Sequence, residues 1–369
     1  MPVRLVVAFK FVRFFDNGIG HLAGNTEAFF RRLQLNIISN KIYYIGLIGK
    51  KPANEQLLKM YKRLIPIYSV PQFFLDFFHS RSLFFHSFLC QQLPGDSNDY
   101  YEYDLGRTTI SFSTDEERQG SILLEKIGVK SKEFVCFHNR DSEYMRRIYK
   151  TSYFEYHCYR DAEVRDYFLA MEKINNYGLK VLRMGQYVAS PNYNLPKDVI
   201  DYTTFYRSDF GDIYVPSQAL FFVGTSCGLT AIPAVFQVPI VCVNTIPLCR
   251  ITPLKKEDIF IPKKIWSIRE KRMLSLSEIL EHGIGWFLKH EQFQQAGLEV
   301  INNTKEEILD VVEEMTLRLQ GSFILSEESN LLQKRFKSIF NSFAHRKPFH
   351  KTNAHVGSIF LKQNHDWLL

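Results

Sequence analysis

Short apolar runs alternate with amphipathic segments along most of the chain, and this alternation restricts the possible fold more than any other feature. It is typical of β-strands joined by helices in layered α/β domains. The predicted strands are Val3–Phe9, Ile42–Leu47, Ile65–Val70, Phe134–Phe137, Lys180–Arg183, Val199–Tyr202, Leu220–Val223 and Pro239–Val243. The predicted helices are Leu22–Leu35, Asn54–Leu64, Ala162–Tyr177, Leu229–Phe236, Thr304–Leu319 and Glu327–Phe343, and beyond Asn244 we expect helices only.

The length of 369 residues fits two domains. A polar stretch over 91–104 precedes two overlapping capping boxes, Ser113/Glu116 and Thr114/Glu117, which predict a helix that ends at Gly128. We therefore predict an N-terminal domain over 1–128, a second domain over 129–325 and a C-terminal helical tail over 326–369.

The composition favours a globular protein that meets anions. The net charge is +7, which suits nucleotide diphosphates or acidic lipid headgroups as partners. The dense Lys/Arg runs with interleaved aromatics that line nucleic-acid grooves are absent, so nucleic acid is not an expected partner. The six cysteines include no CxxC pair, and reduced thiols in the cytoplasm are the expectation.

The sequence contains no stretch of 18 apolar residues, so no membrane-spanning segment is expected. The N-terminal apolar run is interrupted at Lys10 and Arg13 and has no small-residue cleavage site. It therefore indicates a first strand rather than a signal peptide.

Two glycine-containing turns follow predicted strands and precede predicted helices. Gly18-Ile19-Gly20-His21 would let the backbone approach a ligand closely, and the His21 imidazole could accept a proton from a sugar hydroxyl. A capping histidine is the alternative. Gly224-Thr225-Ser226-Cys227-Gly228 would cradle a phosphate through backbone N–H groups and hydroxyls, and a plain N-cap by Thr225 or Ser226 is the alternative.

Two further strand ends carry arginine. In His138-Asn139-Arg140-Asp141, the guanidinium of Arg140 could grip a phosphate while Asp141 orients it, and an Arg–Asp salt bridge that pins a loop is the alternative. In Arg183-Met184-Gly185-Gln186, Arg183 at a strand end could bind a phosphate in the same way. A turn that carries a surface arginine is the alternative.

Other chemistries lack their motifs. The sequence contains no HExxH, CxxC or DxD, so no metal site is expected, and no cofactor is implied. GxSxG and GxxxxGK[ST] are also absent, which weakens an esterase or an NTPase interpretation.

The segments GIGHL, FHNRD, RMGQ, VIDY, FFVGTSCGL and SIFLKQN occur in this order, and with them the chain resembles a family of poorly characterised bacterial glycosyltransferases of surface-polysaccharide biosynthesis. The resemblance extends from about residue 14 to the C-terminus. It implies an α/β architecture of two Rossmann-like, GT-B-like domains that face a cleft, with C-terminal helices. The N-terminal domain would hold the acceptor, and the second domain would hold the nucleotide-sugar.

Carried over position by position, the resemblance makes His21 and Glu27 the candidate catalytic residues, with Gly18 and Gly20 in the acceptor-side loop. The implied donor-binding residues are His138, Arg140, Asp141, Arg183, Gly185, Gly224, Thr225, Ser226 and Gly228, and Asp201 and Tyr202 match a further motif. One departure is Gly18, which stands where a basic residue is expected. An anion contact there is either missing or supplied by Arg13.

A stripe of seven phenylalanines recurs at helical spacing, at Phe73, Phe74, Phe77, Phe78, Phe84, Phe85 and Phe88. It is either core or an interfacial helix that approaches lipid-linked acceptors. The basic residues Lys334, Arg335, Lys337, Arg346, Lys347 and Lys351 would support peripheral contact with the inner face of a membrane.

The combined expectation is a metal-independent glycosyltransferase that moves a sugar from a nucleotide-sugar to a glycan or lipid-linked acceptor. A nucleotide-sugar epimerase or hydrolase on the same frame is one alternative. A non-catalytic scaffold of a polysaccharide assembly complex is the other.

Overall fold

The computed structural model describes residues 8–77, 89–93, 101–143, 146–147, 152–187, 195–250, 255–346 and 349–369. No helix in these ranges is long and apolar enough to cross a membrane.

The N-terminal part contains a parallel sheet of four strands in the order β3-β2-β1-β4. The strands are β1 (Phe9–Arg13), β2 (Tyr43–Ile48), β3 (Ile67–Ser69) and β4 (Cys90–Gln91). The helices of this part are α1 (Thr26–Gln34), α2 (Glu55–Tyr61), α3 (Gln72–Phe77), α4 (Tyr101–Leu105) and α5 (Thr114–Ile127). The π-helical turn His21–Asn25 leads directly into α1.

The first strand differs from its prediction. It runs over Phe9–Arg13 and therefore includes both Lys10 and Arg13. Of the predicted Val3–Phe9, only Phe9 belongs to this strand, and residues 3–7 lie outside the described part. Alternation explains the shift, because Val12 is fully buried while the side chains on either side of it are partly exposed.

The second sheet has seven parallel strands in the order β14-β10-β9-β8-β5-β6-β7. These are β5 (Phe134–Phe137), β6 (Lys180–Arg183), β7 (Val199–Asp201), β8 (Phe221–Gly224), β9 (Ile240–Thr245), β10 (Ile259–Pro262) and β14 (His355–Val356). Their carboxyl ends share one edge of the sheet because all the pairs are parallel.

The predicted helices-only segment beyond Asn244 is wrong. The chain forms β10 and β14 there, and also an antiparallel sheet of β11 (Lys264–Ser267), β12 (Arg272–Met273) and β13 (Leu298–Ile301). These strands are two to four residues long and alternate with helices, so they leave little periodic signal.

The remaining helices surround the larger sheet. They are α6 (Phe168–Asn176), α7 (Tyr202–Phe205), α8 (Gly211–Gln218), α9 (Ala231–Val235), α10 (Leu276–Glu281), α11 (His290–Gln295), α12 (Lys305–Leu319), α13 (Glu327–Ser342) and α14 (Ser358–Gln363). The 3-10 helices are Ser152–Arg160, Val164–Tyr167, Leu248–Arg250, Ile284–Trp286 and His365–Leu368.

Helix α5 forms where the capping boxes predict it. The hydroxyl of Ser113 accepts a hydrogen bond from the backbone N–H of Glu116, and the Glu116 carboxylate accepts one from the N–H of Ser113. The helix ends at Gly128, whose φ of 82° is the left-handed conformation that favours glycine at this position. The predicted division at residues 128 and 325 stays a prediction, and the final segment adds strand β14 to the larger sheet.

The two sheets are joined by a continuous apolar core. Phe29 on α1 and Leu57 on α2 belong to the same buried cluster as Ile232 and Val235 on α9. The helices beside the first sheet therefore pack directly against a helix of the second sheet, and this packing fixes how the strand ends of the two sheets face each other.

Candidate functional site

The first predicted motif forms a fixed turn at the end of β1. Asp16 anchors the turn, because its carboxylate accepts from the backbone N–H of Gly49 at 2.7 Å and its carbonyl accepts from Ala53 N–H at 2.7 Å. The His21 side chain is exposed at the start of the π-helical turn, a feature frequent at functional sites.

The hydrogen bonding of His21 leaves one ring nitrogen available. Its Nδ1 lies 2.9 Å from Oδ1 of Asn25, an oxygen that only accepts, so Nδ1 carries the proton. In the neutral ring Nε2 is then the acceptor nitrogen. This is the tautomer that a general base requires.

The structure brings the first and fourth motifs together. A methyl group on Gly20 would lie 2.5 Å from the Cα of Gly228, so only glycine permits this approach of the two backbones. The π-helical turn that begins at His21 also packs on α9, which follows the fourth motif. His21 therefore stands beside the loop after β8.

In the fourth motif, Gly224–Gly228, the two hydroxyl side chains are less exposed than a phosphate cradle requires. Thr225 and Ser226 are buried, and the Ser226 hydroxyl lies 4.0 Å from the buried Cys242 thiol. Helix α9 begins at Ala231 instead of Leu229, and neither predicted N-cap serves it. Of this loop, Cys227 is half-buried and Gly228 is exposed, so the accessible surface is mainly backbone.

The second motif lies at the end of the neighbouring strand β5. The guanidinium of Arg140 pairs with the Asp161 carboxylate, and its Nη1 donates to the His157 carbonyl at 3.2 Å. Asp161 therefore takes the orienting role predicted for Asp141, whose carboxylate accepts instead from the N–H of Glu143 at 3.0 Å. Arg140 thus forms a salt bridge, but with Asp161 and not with Asp141.

Three cations gather around the segment Tyr159–Asp161. Arg160 donates to the Ser226 carbonyl, and Lys263 donates to the carbonyls of Tyr159 at 2.9 Å and Asp161 at 2.6 Å. Burial lowers the pKa of Lys263 to about 8, with further lowering by Arg140 against the opposing effect of Asp161. Burial and the charge of Arg140 also lower the pKa of Arg160. We call Arg140, Arg160 and Lys263 the cationic cluster.

Asp161 is the carboxylate at the centre of this cluster. Burial raises its pKa, although Arg140 and Lys263 act in the opposite direction. The cluster thus holds more positive than negative charge at an edge of the sheet where ligands of α/β folds bind. It suits an anionic ligand.

Sequence reasoning missed Arg160, Asp161 and Lys263. Lys263 follows β10 directly and Arg140 stands three residues after β5, so Lys263 could have been found by searching every strand end. Arg160 is the last residue of a 3-10 helix and Asp161 follows it, and neither gave a comparable signal.

The third motif is placed inside the fold. Arg183 is 1% exposed, and its Nη1 lies 3.9 Å from the carboxylate of Asp201. Its Nε and Nη1 have no hydrogen-bond partner among the described residues. It is neither the surface arginine of the alternative interpretation nor open to solvent. Gly185 follows Met184, whose carbonyl lies 3.0 Å from Nδ1 of His138.

Glu27 is enclosed in the contact between the two sheets. It is 0% exposed, and its carboxylate accepts from Arg31 Nε at 2.8 Å and from the Thr109 hydroxyl at 2.7 Å. Arg31 in turn donates to the Val235 carbonyl at 2.7 Å. A carboxylate enclosed in this way does not touch a substrate, so the geometry supports a positioning role instead of the predicted catalytic one.

No protein-family model and no curated protein matches this chain. A solved structure resembles most of it: the glycosyl transferase family 9 structure from Veillonella parvula, at 10% identity and a TM-score of 0.50, over 84% of this chain and 97% of that one. The chain has a GT-B-like fold. The predicted α/β class with two parallel-sheet units is confirmed.

Two Escherichia coli structures give weaker matches. The iron-containing dodecameric glycosyltransferase TibC from an enterotoxigenic strain is 12% identical over 64% of this chain and 57% of that one, with a TM-score of 0.38. The heptosyltransferase WaaC with ADP is 10% identical over 64% of this chain and 86% of that one, with a TM-score of 0.33. The chain spans 57% and 58% of the two TibC chains that it matches.

Proposed function

We propose that this protein is a glycosyltransferase that moves a sugar from a nucleotide-sugar donor to a hydroxyl of a surface-polysaccharide or glycan acceptor. One observation carries the proposal: the Gly20–Gly228 contact sets His21 beside the loop whose Ser226 carbonyl is held by Arg160. Sugar transfer from a nucleotide-sugar requires a base that takes the proton of the acceptor hydroxyl and positive charge that stabilises the leaving diphosphate. His21 Nε2 and the cationic cluster lie on the two sides of this contact and supply these two groups.

In this scheme Arg140, Arg160 and the backbone of Gly224–Gly228 hold the donor diphosphate. Lys263 is 5% exposed and adds positive charge from beneath them. As the bond between the sugar and the phosphate oxygen breaks, negative charge grows on the leaving diphosphate. Arg140, Arg160 and Lys263 stabilise that charge. His21 Nε2 accepts the proton of the acceptor hydroxyl that forms the new bond.

The other predicted residues support these groups. Three of them are buried and support the loops after β6 and β8: Arg183, Thr225 and Ser226. Glu27 pairs with Arg31, which holds α1 against the end of α9 through the Val235 carbonyl. His138, Asp141 and Gly185 border the cluster at the ends of β5 and β6.

Metal independence is part of the proposal, since the cationic cluster would supply the positive charge that a divalent ion supplies elsewhere. The proposed location is the cytoplasm, where reduced cysteines are the rule.

A thermal-shift screen against UDP-, GDP-, ADP-, CMP- and dTDP-sugars in EDTA tests the proposal. We expect one nucleotide class to stabilise the protein, by about 2.7 kcal/mol at 100 times its dissociation constant. The stabilising donor should then be consumed when acceptor glycans are added. Donor consumption without any acceptor would point to a hydrolase or epimerase instead, and absence of stabilisation by every nucleotide would contradict the proposal.

A lipid-linked acceptor and peripheral membrane contact form a second part of the proposal. Phe73 and Phe74 on α3 are 66% and 45% exposed, and their ring centroids lie 4.4 Å apart. Phe78, Phe84, Phe85 and Phe88 lie outside the described residues. Two adjacent exposed rings are suited to insert at the boundary between headgroups and acyl chains.

Replacement of both Phe73 and Phe74 by serine should abolish sedimentation with anionic phosphatidylglycerol vesicles and leave the melting temperature nearly unchanged. Added salt should weaken the binding of the parent protein. Phe205→Ser is the control, because that ring is 72% exposed on a different helix. If the parent protein does not sediment with vesicles, or if the double variant sediments as the parent does, the membrane contact is wrong.

A further inference from the structure

Asn25 is a buried residue that belongs to none of the four sequence motifs, and it contacts the proposed base directly. It closes the π-helical turn that His21 opens, and it is 7% exposed. Its Oδ1 lies 2.9 Å from Nδ1 of His21. The His21 side chain is exposed, so this pair joins an accessible imidazole to an amide that lies inside the fold.

This contact determines what each ring nitrogen can do. The amide oxygen only accepts, so it binds the tautomer in which Nδ1 carries the proton and Nε2 can take one. The contact also restrains rotation of the ring, because the amide is buried. An amide turned the other way would donate to Nδ1 and select the opposite tautomer, whose Nε2 cannot take a proton.

Two buried tyrosines hold the backbone of the turn. The hydroxyl of Tyr103, on α4, donates to the Gly24 carbonyl at 2.8 Å, and that of Tyr61, on α2, donates to the Ala23 carbonyl at 3.2 Å. Both tyrosine side chains are buried. A π-helical turn departs from the regular hydrogen bonding of an α-helix, so donors from other helices help to keep it in place.

Phe15 restrains the imidazole from another side. It stands just after β1, and its ring meets that of His21 edge to face, with the ring centroids 5.9 Å apart. The imidazole is therefore held by an aromatic contact as well as by the amide.

Ionisable groups around the turn are engaged elsewhere. The Asp16 carboxylate accepts from the backbone N–H of Gly49 at 2.7 Å, and the Glu27 carboxylate accepts from Arg31 at 2.8 Å. Burial, with the charge of Glu27, raises the pKa of the Tyr61 hydroxyl, so this hydroxyl keeps its proton and donates. Among the described residues, the hydrogen-bond partner of the His21 ring is an uncharged amide.

We propose that Asn25 and Tyr103 are positioning residues for His21: the Asn25 amide orients the ring and fixes its tautomer, and the Tyr103 hydroxyl fixes the turn that carries both residues. Both side chains are buried, so they act through His21 and not on a substrate. Their effect on sugar transfer rests on the proposed function, whereas the orientation and tautomer of the ring do not.

Nitrogen NMR of the protein with isotope-labelled histidine tests the contact in the parent chain. The His21 signals are those that are missing from the spectrum of His21→Gln. We expect Nδ1 to carry the proton of the neutral ring, because the Asn25 oxygen accepts from it. A neutral ring that is protonated at Nε2 would overturn the proposal. This measurement needs neither a substrate nor a change at Asn25.

Asn25→Ala removes the amide. We expect the rate of transfer at saturating donor to fall about 10²-fold, the usual result of misplacing a catalytic group by about 1 Å. Donor affinity should stay that of the parent, whereas a merely structural role would lower affinity and rate together. Parent-like transfer by folded Asn25→Ala would refute the role of the amide.

Asn25→Asp separates positioning from packing. The carboxylate still accepts from Nδ1, so most of the lost rate should return at alkaline pH. Its charge favours the protonated ring, which cannot act as a base, so the acidic limb of the pH–rate profile should move to higher pH. Asn40→Asp is the control, because it adds the same charge at an exposed residue that bonds to Asn36. An unshifted profile in Asn25→Asp would contradict the contact. If neither variant of Asn25 folds, the tautomer in the parent decides.

Tyr103→Phe tests the support of the turn. It keeps the ring that lies 4.5 Å from the Arg31 guanidinium and removes only the hydroxyl. We expect the saturated rate to fall about tenfold, with donor affinity unchanged. The control is Tyr177→Phe, whose hydroxyl donates to Glu313 at 2.6 Å between α6 and α12. A parent-like rate in Tyr103→Phe would show that Tyr103 does not position His21.

The two kinds of measurement distinguish failure of this inference from failure of the proposed function. If no protein of the series transfers sugar, the parent included, the proposed function is wrong. The NMR result then still decides whether Asn25 orients His21.

Discussion

Replacement of His21 by alanine is expected to reduce sugar transfer by about 10²–10⁴-fold, the usual effect of removing a general base. Donor affinity should stay close to that of the parent, because His21 lies on the π-helical turn after β1 and the cationic cluster lies at the edge of the other sheet. Calorimetry with the donor and a transfer assay on the same preparation measure the two effects.

The control for His21 is His345→Ala, which removes an exposed imidazole whose Nδ1 lies 3.0 Å from the local Ser342 carbonyl. It should change neither property. If donor affinity and transfer fall together in His21→Ala, then His21 is a structural or donor-binding residue, and its assignment as the base is wrong.

Replacement of Arg160 by alanine is expected to weaken donor affinity by about 1.5–3 kcal/mol, the range for hydrogen bonds to charged groups. The change removes one charge of the cationic cluster and the hydrogen bond that holds the Ser226 carbonyl. Arg160→Lys keeps the charge but loses the planar guanidinium, so its donor affinity should lie between those of the parent protein and Arg160→Ala. Titration calorimetry with the donor gives the values.

Arg160 is a cleaner test than Arg140. Removal of Arg140 would leave the carboxylate of Asp161 in the fold without its ion-pair partner, and this costs stability in itself. Arg118→Ala is the matched control, because Arg118 forms an exposed pair with Asp115 on α5. Parent-like donor affinity in a folded Arg160→Ala protein would remove the cationic cluster from the proposal.

Much of the fold follows from local patterns. The strands Phe134–Phe137 and Lys180–Arg183 match their predictions at both ends. The first is an apolar run, and the second has an apolar pair between two charged residues that bound it. The capping box at Ser113 set the start of α5, and Gly128 set its end. Of the strands beyond Asn244, β12 and β14 are too short to carry a period. The other three are as long as Phe134–Phe137 and were missed because the whole segment was interpreted as helical.

The residues of the candidate site that stand at strand ends could be predicted from the sequence, but their ion-pair and hydrogen-bond partners could not. Arg140, Gly224 and Gly228 were located because each stands at or just after the end of a strand or in a strand-to-helix turn. The pairing of Arg140 with Asp161 and the contact of Arg160 with Ser226 depend on chain folding between distant segments, which local spacing does not encode. For the same reason the enclosure of Glu27 by Arg31 and Thr109 was not foreseen.

His21 and the cationic cluster divide the proposed chemistry between the two sides of the Gly20–Gly228 contact, and one paired measurement separates their roles. Donor affinity and the rate of transfer at saturating donor are measured for His21→Ala and Arg160→Ala under the same conditions. We expect opposite patterns: parent-like affinity with transfer lost in His21→Ala, and weakened affinity with a much smaller loss of saturated rate in Arg160→Ala. The same pattern in both variants would contradict this division.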